Sequence, residues 1–266
     1  MPGTAKTSQF LLSTATVMIG PQADLLSLNP AQHSVGLAKN FQMSFDPTYT
    51  ELTQGITNTV VMSVRTSEAI RASFEVYEYT LRNLGYAAGL DASGISFNSQ
   101  SGLNLTLANV AAGATTLTVT GDQTAVYPVG TYFFIQAGTD DQVHIAKVSA
   151  VSFATTITTI TFVGFATPTG TTFPIGSRVG VVKKIEMGSG VLFQPELAAK
   201  IVGILPKNNE PFTILLPKVK VTRGMNVAFD SANFTNLPFE LTPYSQTTSD
   251  PYYGEFGGAS AVLFPR

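Results

Sequence analysis

Apolar and polar residues alternate with a period of two through much of this chain, which predicts strands, and the places where the alternation breaks carry as much information. In "VGLAKNFQMSF", Leu37, Phe41, Met43 and Phe45 share one parity, interrupted by Lys39, while Ala38, Asn40, Gln42 and Ser44 share the other, so the strand has one wet face. "TVVMSVRTSE" sets Val60, Met62 and Val64 against Val61, Ser63 and Arg65, a second strand antiparallel to the first. Between them "DPTYTELTQGITN", residues 46 to 58, reads as a loop far longer than the usual hairpin connection, and loops of that length commonly carry function. The period then changes. In "SFEVYEYTLRNLGYAAGL", Val76, Tyr77, Leu81, Leu84 and Ala88 fall near a 3.6 spacing with Glu75, Glu78 and Arg82 opposite, predicting one helix with Ser73 as N-cap and Gly89 as its stop. "FTILLPKVKVTRG", residues 212 to 224, carries apolar residues at Phe212, Ile214 and Leu216, then changes phase to Val219 and Val221 with Pro217 between. A one-residue slip turns a strand's buried set to its other face, so the pattern calls either for a dry face that changes sides or for a bulge at Pro217.

The rest of the chain organises around these segments. Residues 1–34 are polar, proline-punctuated and aperiodic, and read as an N-terminal arm. Residues 35–100 and 186–245 read as two halves of one core, the second holding "QPELAAKIVGILPKNN", a short helical or extended piece, and "LPFELTP", where Leu237, Phe239 and Leu241 alternate with polar neighbours. Residues 101–185 are rich in threonine and poor in charge, and the short β-branched runs "TLTVT", "TYFFIQAG", "VHIAKVSAVS", "TITTITFV" and "SRVGVV" recur between turn signals. They predict a small antiparallel β-barrel or sandwich inserted into the host fold. Residues 246–266, Gly-, Tyr- and Pro-rich, read as a C-terminal arm that docks on something. The fold class expected is mainly β, with one flanking helix.

Composition narrows the function. Charged residues are 12% of the 266, about half the usual share, so much of the surface is neutral and suited to packing against other copies. The net charge of -2 gives no basic footprint for tight nucleic-acid binding. With no cysteine there is neither a disulfide framework nor a thiolate metal site, and no stretch reaches the roughly 18 apolar residues of a membrane span.

Catalytic signatures are absent. His33 and His144 are the only histidines, and each alone reads as a surface or strand residue instead of a ligand or base; Asp140 and Asp141 suit turn chemistry better than a calcium loop. "GSG" at 188–190 lacks the rest of a dinucleotide fingerprint, and the sequons at Asn104 and Asn233 matter only in a secreted protein. No catalytic, cofactor or metal residues are assigned. The aromatics fit strand cores better than a carbohydrate platform, the more so without tryptophan.

The order of arm, strand, long connection, strand, helix, insert, strand, strand and arm resembles the major tail tube protein of tailed bacteriophages, related in fold to the inner tube of type VI secretion systems. The likeness rests on "AKNFQMSFDPTYTELTQG" with "TVVMSVRTSE", on "EYTLRNLGYAAGL", and on "FTILLPKVKVTRGMNVAFDSANFTNLPFEL". It implies a virion structural protein, not an enzyme, assembled in the bacterial host cytoplasm as hexameric rings stacked into a tube through which DNA is ejected without specific binding. Its partners would be sister copies and the tail terminator, baseplate and tape-measure proteins, with no membrane contact and no cofactor. On that reading the segment 46–58 reaches the adjacent ring, and Lys39, Asp46, Glu51, Arg65, Glu68 and Arg71 are candidates for subunit interfaces or the lumen. The alternatives are another virion β-protein, such as a terminator or head decoration, or a carbohydrate-binding module seated in the insert.

Overall fold

The computed structural model describes residues 15–54, 56, 59–92, 103–138, 142–162, 167, 170–185, 194–205, 209–224 and 236–265. The fold is mainly β. In chain order the elements are β1 (Thr16–Pro21), a 3-10 turn, α1 (Pro30–His33), β2 (Ala38–Gln54), β3 (Thr59–Val76) and α2 (Leu81–Ala87). Then come β4 (Asn104–Leu105), β5 (Thr116–Thr120), β6 (Tyr132–Gln136), β7 (Val143–Ala154), β8 (Ile157–Phe162) and β9 (Arg178–Val182). The chain ends with β10 (Leu197–Leu205), β11 (Glu210–Arg223), β12 (Leu237–Pro243), α3 (Tyr253–Phe256) and β13 (Val262–Phe264). Two compact units result, residues 98–186 and a host made of 1–97 with 187–266.

The host is one antiparallel sheet in the order β1, β10, β11, β12, β3, β2, with β13 beside the first half of β11. Residues 34–38 draw its ends together: Val35 N donates to Val17 O at 3.0 Å, and the chain then enters β2. The sheet curls around a core in which Val17, Ile19, Phe74, Leu216, Val219, Phe239 and Leu241 meet Tyr86 and Ala87 of α2. Phe74 and Phe239 stack with centroids 5.3 Å apart.

The break at Pro217 is a bulge. Leu197 pairs with Val219 but Ala199 with Leu216, so β11 uses one residue more than β10 at Pro217–Lys218. Ile214 and Leu216 before it, and Val219 and Val221 after it, all belong to the one core. The dry face therefore does not change sides; the extra residue cancels the slip. Ile214–Pro217 are all buried because Leu215 packs on the opposite face, with Leu25 and Ala198 under Tyr252, Phe256 and Val262. The same device works in β2. Lys39 pairs with Glu75 but Gln42 with Ser73, and Asn40, in the extra position, takes φ 55°, a left-handed conformation that asparagine tolerates better than most residues. Ala38, expected on the wet face, therefore joins Phe41 and Met43 at the core, while Leu37, expected to share their face, is exposed.

Three expectations change. The helix does not begin at Ser73: Ala72, Phe74 and Val76 continue β3 opposite Leu241, Phe239 and Leu237, a period-two match that outweighs the helical spacing. The true cap is Thr80, whose side chain accepts from Asn83 N at 3.1 Å. Gly89, at φ 73°, does end the helix, donating to Tyr86 O while Leu90 N donates to Gly85 O. Arg82, assigned to the wet side, is buried and donates to Gln32 O. Tyr86 donates to Ile19 O at 3.3 Å, and burial pushes its phenol up to about 12. The N-terminal arm is corrected over Thr16–Pro21, which is a sheet strand because Val17, Met18 and Ile19 have dry surface on both sides; residues 1–14 lie outside the described residues. The piece around residue 200 is strand β10, and the C-terminal segment docks on its own chain through β13.

The inserted unit is a six-stranded antiparallel barrel in the order β4, β9, β6, β7, β8, β5, closed where Thr106 bridges Val119 and Leu107 N donates to Thr118 O. Phe133 meets Tyr127 and Phe162 edge-on at its centre.

Phe239→Ala is expected to destabilise the host unit by about 3–5 kcal/mol, read as a lower urea midpoint, because it empties the stack on Phe74. Thr118→Ala, on the outside of the barrel, is expected to change stability by less than about 0.5 kcal/mol.

Candidate functional site

β3 pairs with β12 only through Ala72–Val76, whereas its pairing with β2 continues to Thr59 opposite Gln54. Beyond the sheet, β2 and β3 thus form a two-stranded ribbon, from Phe45 to Gln54 a contour of about 30 Å at about 3.4 Å per residue. The connection expected at 46–58 is therefore strand over Asp46–Gln54. The cause lies in its side chains: Thr48, Thr50 and Leu52 face Ser67, Val64 and Met62, pairs that favour a pleated sheet.

The ribbon is exposed on both faces. Register places Phe45, Tyr49, Glu51 and Val60 on one face, and Asp46, Leu52, Met62 and Val64 on the other, with β3 bulged near Thr66 and Val61. Tyr49, Leu52, Val60, Val61, Met62 and Val64 are all exposed, Leu52 to 62%. A two-stranded ribbon standing alone is marginal in water, and contiguous apolar surface of this kind marks an interaction site.

All six predicted site residues lie on this hairpin. Lys39, at the root, sets Nζ 4.9 Å from the Tyr77 ring centroid. Asp46 and Glu51 are exposed along β2, opposite Ala69 and Ser63. Arg65 pairs with Glu68 at 3.1 Å and lies over the Phe45 ring, and Arg71 pairs with Glu240 at 3.6 Å. Glu68, Arg71, Glu240 and Ser260 border an open recess of about 430 Å³ at the ribbon's root. Three of the charges predicted for interfaces thus already have partners within the chain.

Sequence reasoning missed a second cluster. The bulge at Pro217–Lys218 aims Lys218 Nζ at Glu196, 3.0 Å away, and at Asp250, 3.2 Å away, with Lys218 12% and Asp250 7% exposed. Asp250 also accepts from Thr247 N at 2.6 Å and Thr247 Oγ1 at 3.0 Å. Burial opposes both charges, but the hydrogen bonds and the opposite charges outweigh it, holding the Asp250 carboxyl below the usual range and raising the Lys218 ammonium. The cluster ties the C-terminal segment to β11. No sequence signal marks it, since Glu196, Lys218 and Asp250 are far apart in the chain.

His33 Nδ1 accepts from Asn29 N at 3.3 Å, and His144 sits in β7 opposite Ile135. Asn104 of the first sequon donates to Tyr127 Oη at 3.1 Å. Asp140, Asp141, Asn233 and residues 188–190 lie outside the described residues. Among the described residues no cluster of three His, Asp or Glu could hold a metal ion, and no helix is long and apolar enough to cross a membrane. No protein-family profile matches the chain, and no curated protein matches it.

Asp250→Asn is expected to lower the urea midpoint most between about pH 5 and 8. A depressed carboxyl contributes stability above its unfolded value near 3.9 and loses it as pH falls through the folded one, so the gap between variant and parent should close below about pH 4. A gap independent of pH would show that the carboxylate's charge is not what holds the segment.

Proposed function

We propose that this chain is the repeating subunit of a self-assembled protein tube of the tail tube kind found in tailed bacteriophages, with six copies to a ring and rings stacked into a conduit for DNA. The observation that carries the reading is the β2–β3 ribbon, apolar and uncovered on both faces, which neighbouring copies would cover. Ring formation would also complete the long outer edge of β2, a row of backbone groups that otherwise invites uncontrolled pairing. The polar side of the host sheet suits a wet channel. Lys218, Lys220 and Arg71 on that side are each paired with a carboxylate, leaving little to grip phosphates as DNA passes.

The purified chain is expected to form long tubes in negative-stain electron microscopy; single rings would point instead to a tail terminator. Because 46–58 is part of a hairpin, a clean deletion must remove both arms. Replacing residues 48–67 with an Asn-Gly turn is expected to abolish tubes while circular dichroism keeps its β signal. Normal tubes from that variant would refute the ribbon's role.

A further inference from the structure

The cluster at the β11 bulge holds more than an ion pair requires. Lys218 Nζ lies 3.3 Å from Asp250 Oδ1, 3.2 Å from Asp250 Oδ2 and 3.0 Å from Glu196 Oε2, so each N–H bond of the ammonium has its own acceptor. Near-equal distances to the two Asp250 oxygens set the nitrogen across the carboxyl group, with Cγ between them. Oδ2 is held in addition by Thr247 N at 2.6 Å and Thr247 Oγ1 at 3.0 Å, whereas among the described residues Oδ1 meets no donor except Lys218. Both the Lys218 and the Asp250 side chains are nearly buried.

These are the parts of an acyl transfer. There is a nitrogen nucleophile, a carboxyl carbon, two donors fixed on the oxygen where negative charge would gather, and a second carboxylate in reach of the nucleophile's protons. We propose that Lys218 and Asp250 condense to an amide, an isopeptide bond within the chain that staples β11 to the C-terminal segment. One proton passes from Nζ to Oδ1 and leaves both groups neutral. Nζ then bonds to Cγ while charge gathers on Oδ2 beneath Thr247 N and Oγ1. Glu196 takes a second proton from the nitrogen and delivers it to Oδ1, which leaves as water when the Cγ–Oδ1 bond breaks. Ammonium and carboxylate thus become one amide and one water, with no oxidant or co-reactant. The product keeps its partners: the remaining N–H has Glu196 as acceptor, and the carbonyl oxygen Oδ2 retains the donors of Thr247.

Fixed juxtaposition is what lets the condensation run against the surrounding water, since groups so held react as though at about 10⁵ M or more. Opposite charge keeps the pair ionised at rest, so the neutral form is a minor one and the bond accrues slowly. The freshly folded chain carries the ion pair that titrates. Pro251 follows Asp250 and has no N–H, so the carboxyl cannot lose water instead by closing onto the next backbone nitrogen. Once linked, residues 218 and 250 close a loop that contains β12, and the segment that covers Leu25 and Leu215 can no longer peel away. The bond needs no second copy, so it stands or falls independently of the tube reading.

Intact-mass spectrometry of the purified full chain, followed through weeks at neutral pH and physiological temperature, tests the bond. The parent is expected to lose about 18 Da, one water, with tandem spectra joining Lys218 to Asp250. Lys218→Arg keeps a cation for both carboxylates but offers no nucleophile, and Glu196→Gln removes the proton carrier; both are expected to hold their full mass. The linked chain is also expected to unfold at a higher urea midpoint than the freshly folded one. A parent of unchanged mass, or a water loss that persists in Lys218→Arg, would overturn the inference and leave the ion pair as the whole of the anchor. Linkage retained in Glu196→Gln would overturn the part given to Glu196.

Discussion

Side chains along a strand point alternately to two faces, so a single core around α2 depends on the residues that correct the count. In β11 the extra position at Pro217–Lys218 keeps Ile214, Leu216, Val219 and Val221 on one side; in β2 the extra position at Asn40 does the same for Ala38, Phe41 and Met43. Without them half of each strand would present polar side chains to Tyr86. The β11 bulge has a second effect: it turns Lys218 outward toward Glu196 and Asp250, and so anchors the C-terminal segment that covers Leu25 and Leu215.

Much of this architecture was legible in the residues. The strands of the insert stand where β-branched runs lie between turns, and the phase change at Pro217 is a bulge that the sequence marks with a proline. What could not be read was which of two periods wins when both fit. Ser73–Val76 satisfies a helical spacing and a strand spacing at once, and only the distant Leu237, Phe239 and Leu241 decide for the strand. The ribbon was hidden for a related reason. Asp46, Pro47 and Thr48 look like a turn, but pairing with Ala69, Glu68 and Ser67 carries them as strand, with proline at an edge where its missing N–H costs no ladder bond. Of the six candidate residues, their common location on one hairpin was implicit in the spacing. The pairings of Arg65 with Glu68 and of Arg71 with Glu240 needed register and a distant strand.

The two units divide their labour by surface chemistry. In the host, dry surface is enclosed by the curled sheet, and what remains uncovered is concentrated on the ribbon. In the barrel, closure removes every edge, so any docking must use side chains on a face instead of backbone pairing.

The near-neutral character of the ribbon has a thermal consequence. Attraction that comes from expelling water around Tyr49, Leu52, Val61 and Met62 weakens on cooling and is little affected by simple salts, while sulfate strengthens it. On the proposed tube reading, separate subunits are therefore favoured in the cold, and warmth drives them to join.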